Sequence, residues 1–255
     1  MAQSVFDLAL LDQVIVGGSA IAPASMKGIR LGIVPEFMAN QDDDTLAVTN
    51  VALEKLRAAG VTLVDVEMPR LKEFDSASEF PIVTYEVRDD LEAYLAKYHT
   101  GVTLEKLAAA MASSDVKKMF EEQVIPRKVP ADGGAADLTP VYMHAMSVVR
   151  PAMQKLYRDT FARYDLDALV FPTVPRVAPE ADASVIEPAV FESIIQNTGP
   201  GSVVGVPGLT LSSGLGPKTR LPVGLELDGP EGSDTRLLSI GMSMEGILGR
   251  LSPPK

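Results

Sequence analysis

Apolar residues recur at helical spacing from Ser4 to Gly17, at Leu8, Leu11, Val14 and Ile15, and Gly17-Gly18 stops the run. After a loop marked by Pro23 and Gly28, the continuous apolar stretch Ile29 to Val34 predicts a buried strand that Pro35 ends. Asp42-Asp43-Asp44 then precedes an amphipathic stretch carrying Leu46, Leu53 and Leu56. Carboxylates suit a first helical turn, where backbone N–H groups lack partners. Gly60 closes that helix, and Val61 to Val66 predicts a second strand. Strand, helix, strand in this order predicts a βαβ unit with parallel strands.

From Leu71 to Arg127 the pattern is mostly helical, broken near Thr100-Gly101 and Ser113-Ser114. Lys128 to Pro140 holds Gly133-Gly134 and two prolines and reads as a mobile loop. Tyr142 to Tyr164 predicts a long helix with an apolar face at Met146, Val149, Met153, Leu156 and Phe161, kinked at Pro151. Further strands are expected at Asp167–Phe171, Gly208–Ser212 and Pro222–Leu227, with a short helix at Phe191–Gln196 and a last one from Ser233 to Gly249. The expected class is α/β, a mixed β-sheet covered by helices.

Composition narrows the function classes more than the fold. The 255 residues are 46% hydrophobic and 22% charged, a globular balance with no apolar run long enough to span a bilayer. Net charge is −11, and the basic residues are scattered, with Lys117-Lys118 and Arg127-Lys128 the densest pairs. That balance argues against nucleic acid or an anionic membrane as a partner. Cysteine is absent, which removes disulfides, thiolate metal sites and a cysteine nucleophile. The first residues lack a basic n-region and an apolar h-region, and a cytoplasmic location is expected.

Several motifs suggest chemistry and lack its context. Gly17-Gly18-Ser19-Ala20 looks like an oxyanion loop but opens no helix, so a helix cap and linker explain it better. Ser114 and Lys117 match S-x-x-K without its companion motifs. Ser212-Ser213 ends a strand with no base at a recognisable spacing. His99 and His144 belong to no metal-binding pattern. Glu86 with Asp89-Asp90 reads as a solvated helix face, and Asp42-Asp43-Asp44 as capping rather than a calcium loop.

Three separated blocks resemble the amidase-signature family. Met1 to Ile15, leading into Met26-Lys27-Gly28-Ile29-Arg30-Leu31-Gly32-Ile33, is similar to the helix after that family's catalytic core and its "LKGLRIGV" strand entry. Leu166 to Pro175 resembles "DALLTPTTP". In the third block, beginning at Asn197-Thr198-Gly199, Gly205 to Leu211 resembles "GLPAISVP" and Leu221 to Leu227 resembles "LPVGLQL", while Ser212-Ser213 replaces the usual Pro-Cys. The blocks keep the family's order. Within the family the chain resembles the mandelamide-hydrolase group, which cleaves aryl-substituted acetamides.

The resemblance implies the C-terminal portion of the family's αβα fold, with residues 1–255 forming part of one domain that carries a mostly helical insertion at about 71–165. In the family a serine attacks an amide carbonyl, while a second serine and a lysine relay its proton and backbone N–H groups hold the oxyanion. Those groups would lie upstream of this chain, so no residue here is assigned a catalytic role, and no metal or organic cofactor is implied. The expected partners are a small-molecule amide and an N-terminal half, and the chain alone is expected to be inactive and marginally stable, and to aggregate or self-associate. Substrate-pocket candidates are Tyr142, Met146, Thr173, Phe191, Ile195 and Asn197. Two other readings stand beside this one: a non-catalytic binding or assembly protein of the same fold, and an independent serine hydrolase using Ser114 with Lys117, or Ser213.

Overall fold

The computed structural model describes residues 1–182 and 188–252. Two compact units emerge, one made of Met1–Leu71 with Lys155–Lys255 and one of Lys72–Gln154.

The first unit is built on a five-stranded mixed sheet. Helix α1 (Val5–Val16) leads to β1 (Arg30–Ile33), α2 (Asp43–Ala58) and β2 (Thr62–Asp65). The chain returns to this sheet at β5 (Ala168–Pro172), then forms α8 (Pro188–Ile195), α9 (Gly199–Val204), β6 (Gly208–Leu215), β7 (Pro222–Asp228) and α10 (Asp234–Leu248). The strand order is β2-β1-β5-β7-β6. Strands β2, β1 and β5 run parallel, and β7 is antiparallel to both β5 and β6. The βαβ unit and every sequence-predicted strand are present, and the fold class is α/β.

Side chains alternate across a strand, so β7 sends Val223, Leu225 and Leu227 to one face and Glu226 and Asp228 to the other. The first face is the core. Leu225, Leu227, Val170, Leu209, Leu211 and Leu31 pack there with Leu53 and Leu56 of α2 and Leu237 and Ile240 of α10. On the second face the register puts Phe171 and Thr210 beside Glu226, and Leu169 and Gly208 beside Asp228. Phe171 stacks on Phe37 with ring centroids 4.4 Å apart.

Helix α1 forms where the spacing predicted it, from Ser4 to Gly17. Val5 and Ala9 are buried against the core, while Leu11, Val14 and Ile15 are exposed together with Phe6 and Leu10. The helix is apolar nearly all round, so spacing alone could not choose its inner face. Gly17 caps it in the left-handed conformation, its N–H donating to the Gln13 carbonyl, which accounts for the glycine pair without an oxyanion role.

The second unit holds α3 (Leu71–Lys97), α4 (Leu104–Ala109), α5 (Ser114–Met119), the hairpin β3 (Lys128–Ala131) and β4 (Gly134–Asp137), and α6 (Thr139–His144). Helix α7 (Arg150–Tyr164) starts in this unit and ends in the first. Leu104, Ala108, Phe120 and Val124 form the core of the α4–α5 region. Two π-turns, Phe120–Val124 and Ala145–Val149, each stand two residues ahead of a proline, Pro126 and Pro151. Proline offers no N–H and crowds the preceding turn, and the widened turn accommodates both defects. The expected kink at Pro151 is thus a π-turn within one continuous helical stretch.

One expectation needs correction, and one element was not foreseen. Lys128–Pro140 is largely an antiparallel hairpin turning at Asp132-Gly133, a dipeptide suited to tight turns because Gly133 takes φ 85°. Gly199–Val204 is a helix that the sequence reading did not assign: Pro200 sits where a helix needs no N–H, and Gly205 ends it at φ 80°.

Candidate substrate-binding cleft

A cleft of about 470 Å³ opens where β5, β6 and β7 meet the segment after β5. Its walls are apolar, with Val174, Val177, Pro179 and Ile194. Its floor carries the hydroxyls of Thr173 and Thr210 beside Gly224. A pocket of this size with few polar groups is the usual form of a small-molecule site.

Long-range hydrogen bonds hold the cleft in shape. Asp42 accepts the Thr45 N–H with one oxygen, capping α2, and the Val177 N–H with the other at 2.8 Å. Its own N–H donates to the Pro175 carbonyl. The wall segment after β5 is therefore stapled to the start of α2. Asp44 accepts from the Lys218 N–H, the Thr219 N–H and the Thr219 hydroxyl, fixing the turn between β6 and β7, and Asp43 pairs with Lys218. The acidic run caps its helix as expected and also anchors two loops.

The six candidate residues fall into different roles. Thr173 lines the cleft. Phe191 is exposed on α8, and Ile195 is half-buried beside Ile194, which reaches the cleft. Asn197 is wholly buried and donates to the Phe37 carbonyl at 2.9 Å and the Pro172 carbonyl at 2.7 Å, so its amide holds the end of β5. Tyr142 and Met146 lie in the other unit. Tyr142 stacks on Tyr85 and donates to Glu86 at 2.8 Å, a bond that with burial raises its phenol above the ordinary value. Met146 is half-buried within the π-turn before Pro151.

Of the discounted motifs, only Ser212 borders the cleft. Ser114 is exposed, and the Lys117 amine donates to the Ala109 carbonyl. Ser213 is buried and donates to the Val223 carbonyl. Asp89 pairs with Arg127 while Glu86 serves Tyr142, so this acidic group is distributed over separate partners. Among the described residues no three His, Cys, Asp or Glu side chains could hold a metal ion, and no helix is long and apolar enough to cross a membrane.

Sequence reasoning missed the acids behind the floor. Glu226 accepts from the Thr210 hydroxyl at 3.1 Å, and burial raises its carboxyl above the usual range. Asp228 is 2% exposed, and one of its oxygens has no hydrogen-bond partner. Burial, with the neighbouring Glu226 charge, pushes it up to about 8. Space for these groups comes from missing side chains: a Cβ on Gly201 would lie 2.6 Å from Asp228 Oδ2, and one on Gly224 would lie 2.9 Å from Thr173 Oγ1. The signal was present in Pro222 to Asp228, where strict alternation puts Gly224, Glu226 and Asp228 on one face.

The family is now defined. Residues 1–238 match the Amidase family model, and the chain belongs to that family. It is 36% identical over its whole length to mandelamide hydrolase of Pseudomonas putida, covering 50% of that protein. It is 35% identical to indoleacetamide hydrolase of Agrobacterium vitis, again over the whole chain and 54% of that relative. The native peptide amidase of Stenotrophomonas maltophilia shares the fold at a TM-score of 0.68 and 22% identity, with 100% of this chain and 54% of that one aligned. The chain thus spans about half the length of the relatives it matches.

Proposed function

We propose that this chain is the C-terminal part of one amidase-signature domain that hydrolyses aryl-substituted acetamides, and that it supplies sheet and pocket walls rather than the Lys-Ser-Ser groups. The observation that carries the reading is the apolar cleft with a hydroxyl floor at the ends of β5, β6 and β7. An aryl ring suits the Val174, Val177 and Ile194 walls, and a polar amide suits Thr173. The relatives named for mandelamide and indoleacetamide carry the same combination of aromatic body and carboxamide in their names. In this reading Phe191 and Ile195 extend the apolar wall, and Asn197 holds the end of β5. The exposed α1 face of Phe6, Leu10 and Val14 supports self-association of the chain on its own, and a monodisperse monomer in sedimentation would contradict that.

The test is ammonia release and binding, measured on the chain alone with phenylacetamide, mandelamide and indole-3-acetamide. Binding without ammonia release is the expected result. Turnover above a mock preparation would place the chemistry within these 255 residues and remove the claim that it lies elsewhere. Absence of binding at millimolar amide would sink the pocket assignment.

A further inference from the structure

The cleft floor is a relay of hydroxyls leading to a carboxylate. Thr173 Oγ1 donates to Thr210 Oγ1 at 3.3 Å, and Thr210 Oγ1 donates to Glu226 Oε2 at 3.1 Å. A hydroxyl has one proton and two lone pairs. With both protons directed inward, the floor has only lone pairs left to face a ligand. Ser212 also borders the cleft, but its oxygen is buried.

Glu226 sets this polarity. It shares a face of β7 with Asp228, two residues away, and two close carboxylates in a dry site do not both ionise readily. Asp228 is the deeper of the two, with its carboxyl pushed up to about 8 by burial and by Glu226, and Glu226 is the carboxylate that accepts the Thr210 hydroxyl. Arg176 stands exposed at the rim, where water screens its charge.

We propose that Thr173, Thr210 and Glu226 form a donor-reading site, which holds an arylacetamide through its carboxamide N–H and turns away the arylacetic acid that hydrolysis leaves. The inference rests on the amidase reading and adds how substrate and product are told apart. A primary carboxamide brings two N–H donors on the same apolar body. The product carboxylate brings none, and its charge faces Glu226 across apolar walls, where an unmatched acceptor is costly. Glu226 acts through Thr210 and is a positioning residue.

The experiment is equilibrium binding to the 255-residue chain of three probes: phenylacetamide, phenylacetate, and methyl phenylacetate, which keeps the body but only accepts hydrogen bonds. The amide is expected to bind about fivefold or more tightly than either other probe, the scale of one neutral hydrogen bond. Thr210→Val should lose that margin for the amide and leave the ester unchanged, which also shows that the variant is folded. Thr210→Ser should restore it. Glu226→Gln should let phenylacetate bind several-fold more tightly, because the repelling charge is gone. Equal binding of amide and ester, or a Thr210→Val variant that binds amide like the parent, overturns the donor-reading site and leaves the amidase reading standing. No binding of any probe overturns both.

Discussion

The two faces of one strand teach different lessons. Leu225 and Leu227 of β7 face a dry core shared with α2 and α10, where any apolar residue of the right volume would serve. Glu226 and Asp228 face the other way, into a layer of threonines, glycines and buried carboxylates with an unpartnered oxygen. The first face lowers the free energy of the fold. On the second, the buried carboxylates raise it, beside the Phe37–Phe171 stack, and gain chemical character, the usual exchange at functional sites.

The largest effect that separates the faces is expected from Leu225→Ala, which empties a fully buried position. It should cost about 3–4 kcal/mol in urea denaturation, and a loss under ~1 kcal/mol would mean that this face is not the core. Next is Asp228→Asn. Asp228 lies near 8 in the fold against an ordinary 3.8, so between those pH values the folded chain keeps a proton that the unfolded chain has released. Its contribution is therefore intact below about pH 4, falls as pH rises, and is lost above about 8. The asparagine variant lacks that slope and should exceed the parent at pH 9 by on the order of a few kcal/mol. Parallel pH profiles for the two proteins would remove the buried-carboxylate account.

Asn197→Ala follows. It strips the partners from two carbonyls at the cleft's edge and should cost about 2 kcal/mol, read as a lower urea midpoint. A midpoint like the parent's would mean that water replaces the amide. Smallest is Glu226→Ala, next in the chain to Leu225. It should change stability by less than ~1 kcal/mol, since it removes a carboxylate already penalised by burial. A loss as large as that of Leu225→Ala would erase the distinction between the faces.

Much of the sheet was legible in the sequence because its signals are short and repeated. Ile29–Val34, Val61–Val66 and Asp167–Phe171 are apolar runs between glycine, proline or acidic breaks, and each became a strand. The hairpin at Lys128–Asp137 was not legible, because its face pattern is weak and most of its residues are exposed. Helix α9 was not assigned, because its two glycines and Pro200 give no helical apolar pattern, and only the first-turn role of proline accommodates them. In the cleft, Thr173 stood out at a strand end. Thr210 and Glu226 did not, because the bond that defines them joins two strands and appears only once their register is fixed. Asp42 was read as a cap, and its second partner, Val177, is 135 positions away.

The glycines around the acid layer also constrain the order in which this protein can change through descent. A side chain at Gly201 would collide with Asp228, and one at Gly224 would collide with Thr173. A lineage that replaces either glycine first passes through a damaged intermediate. One that first shortens the facing residue leaves room for the second change. The order of two such changes therefore matters, because each glycine makes room for the side chain that faces it.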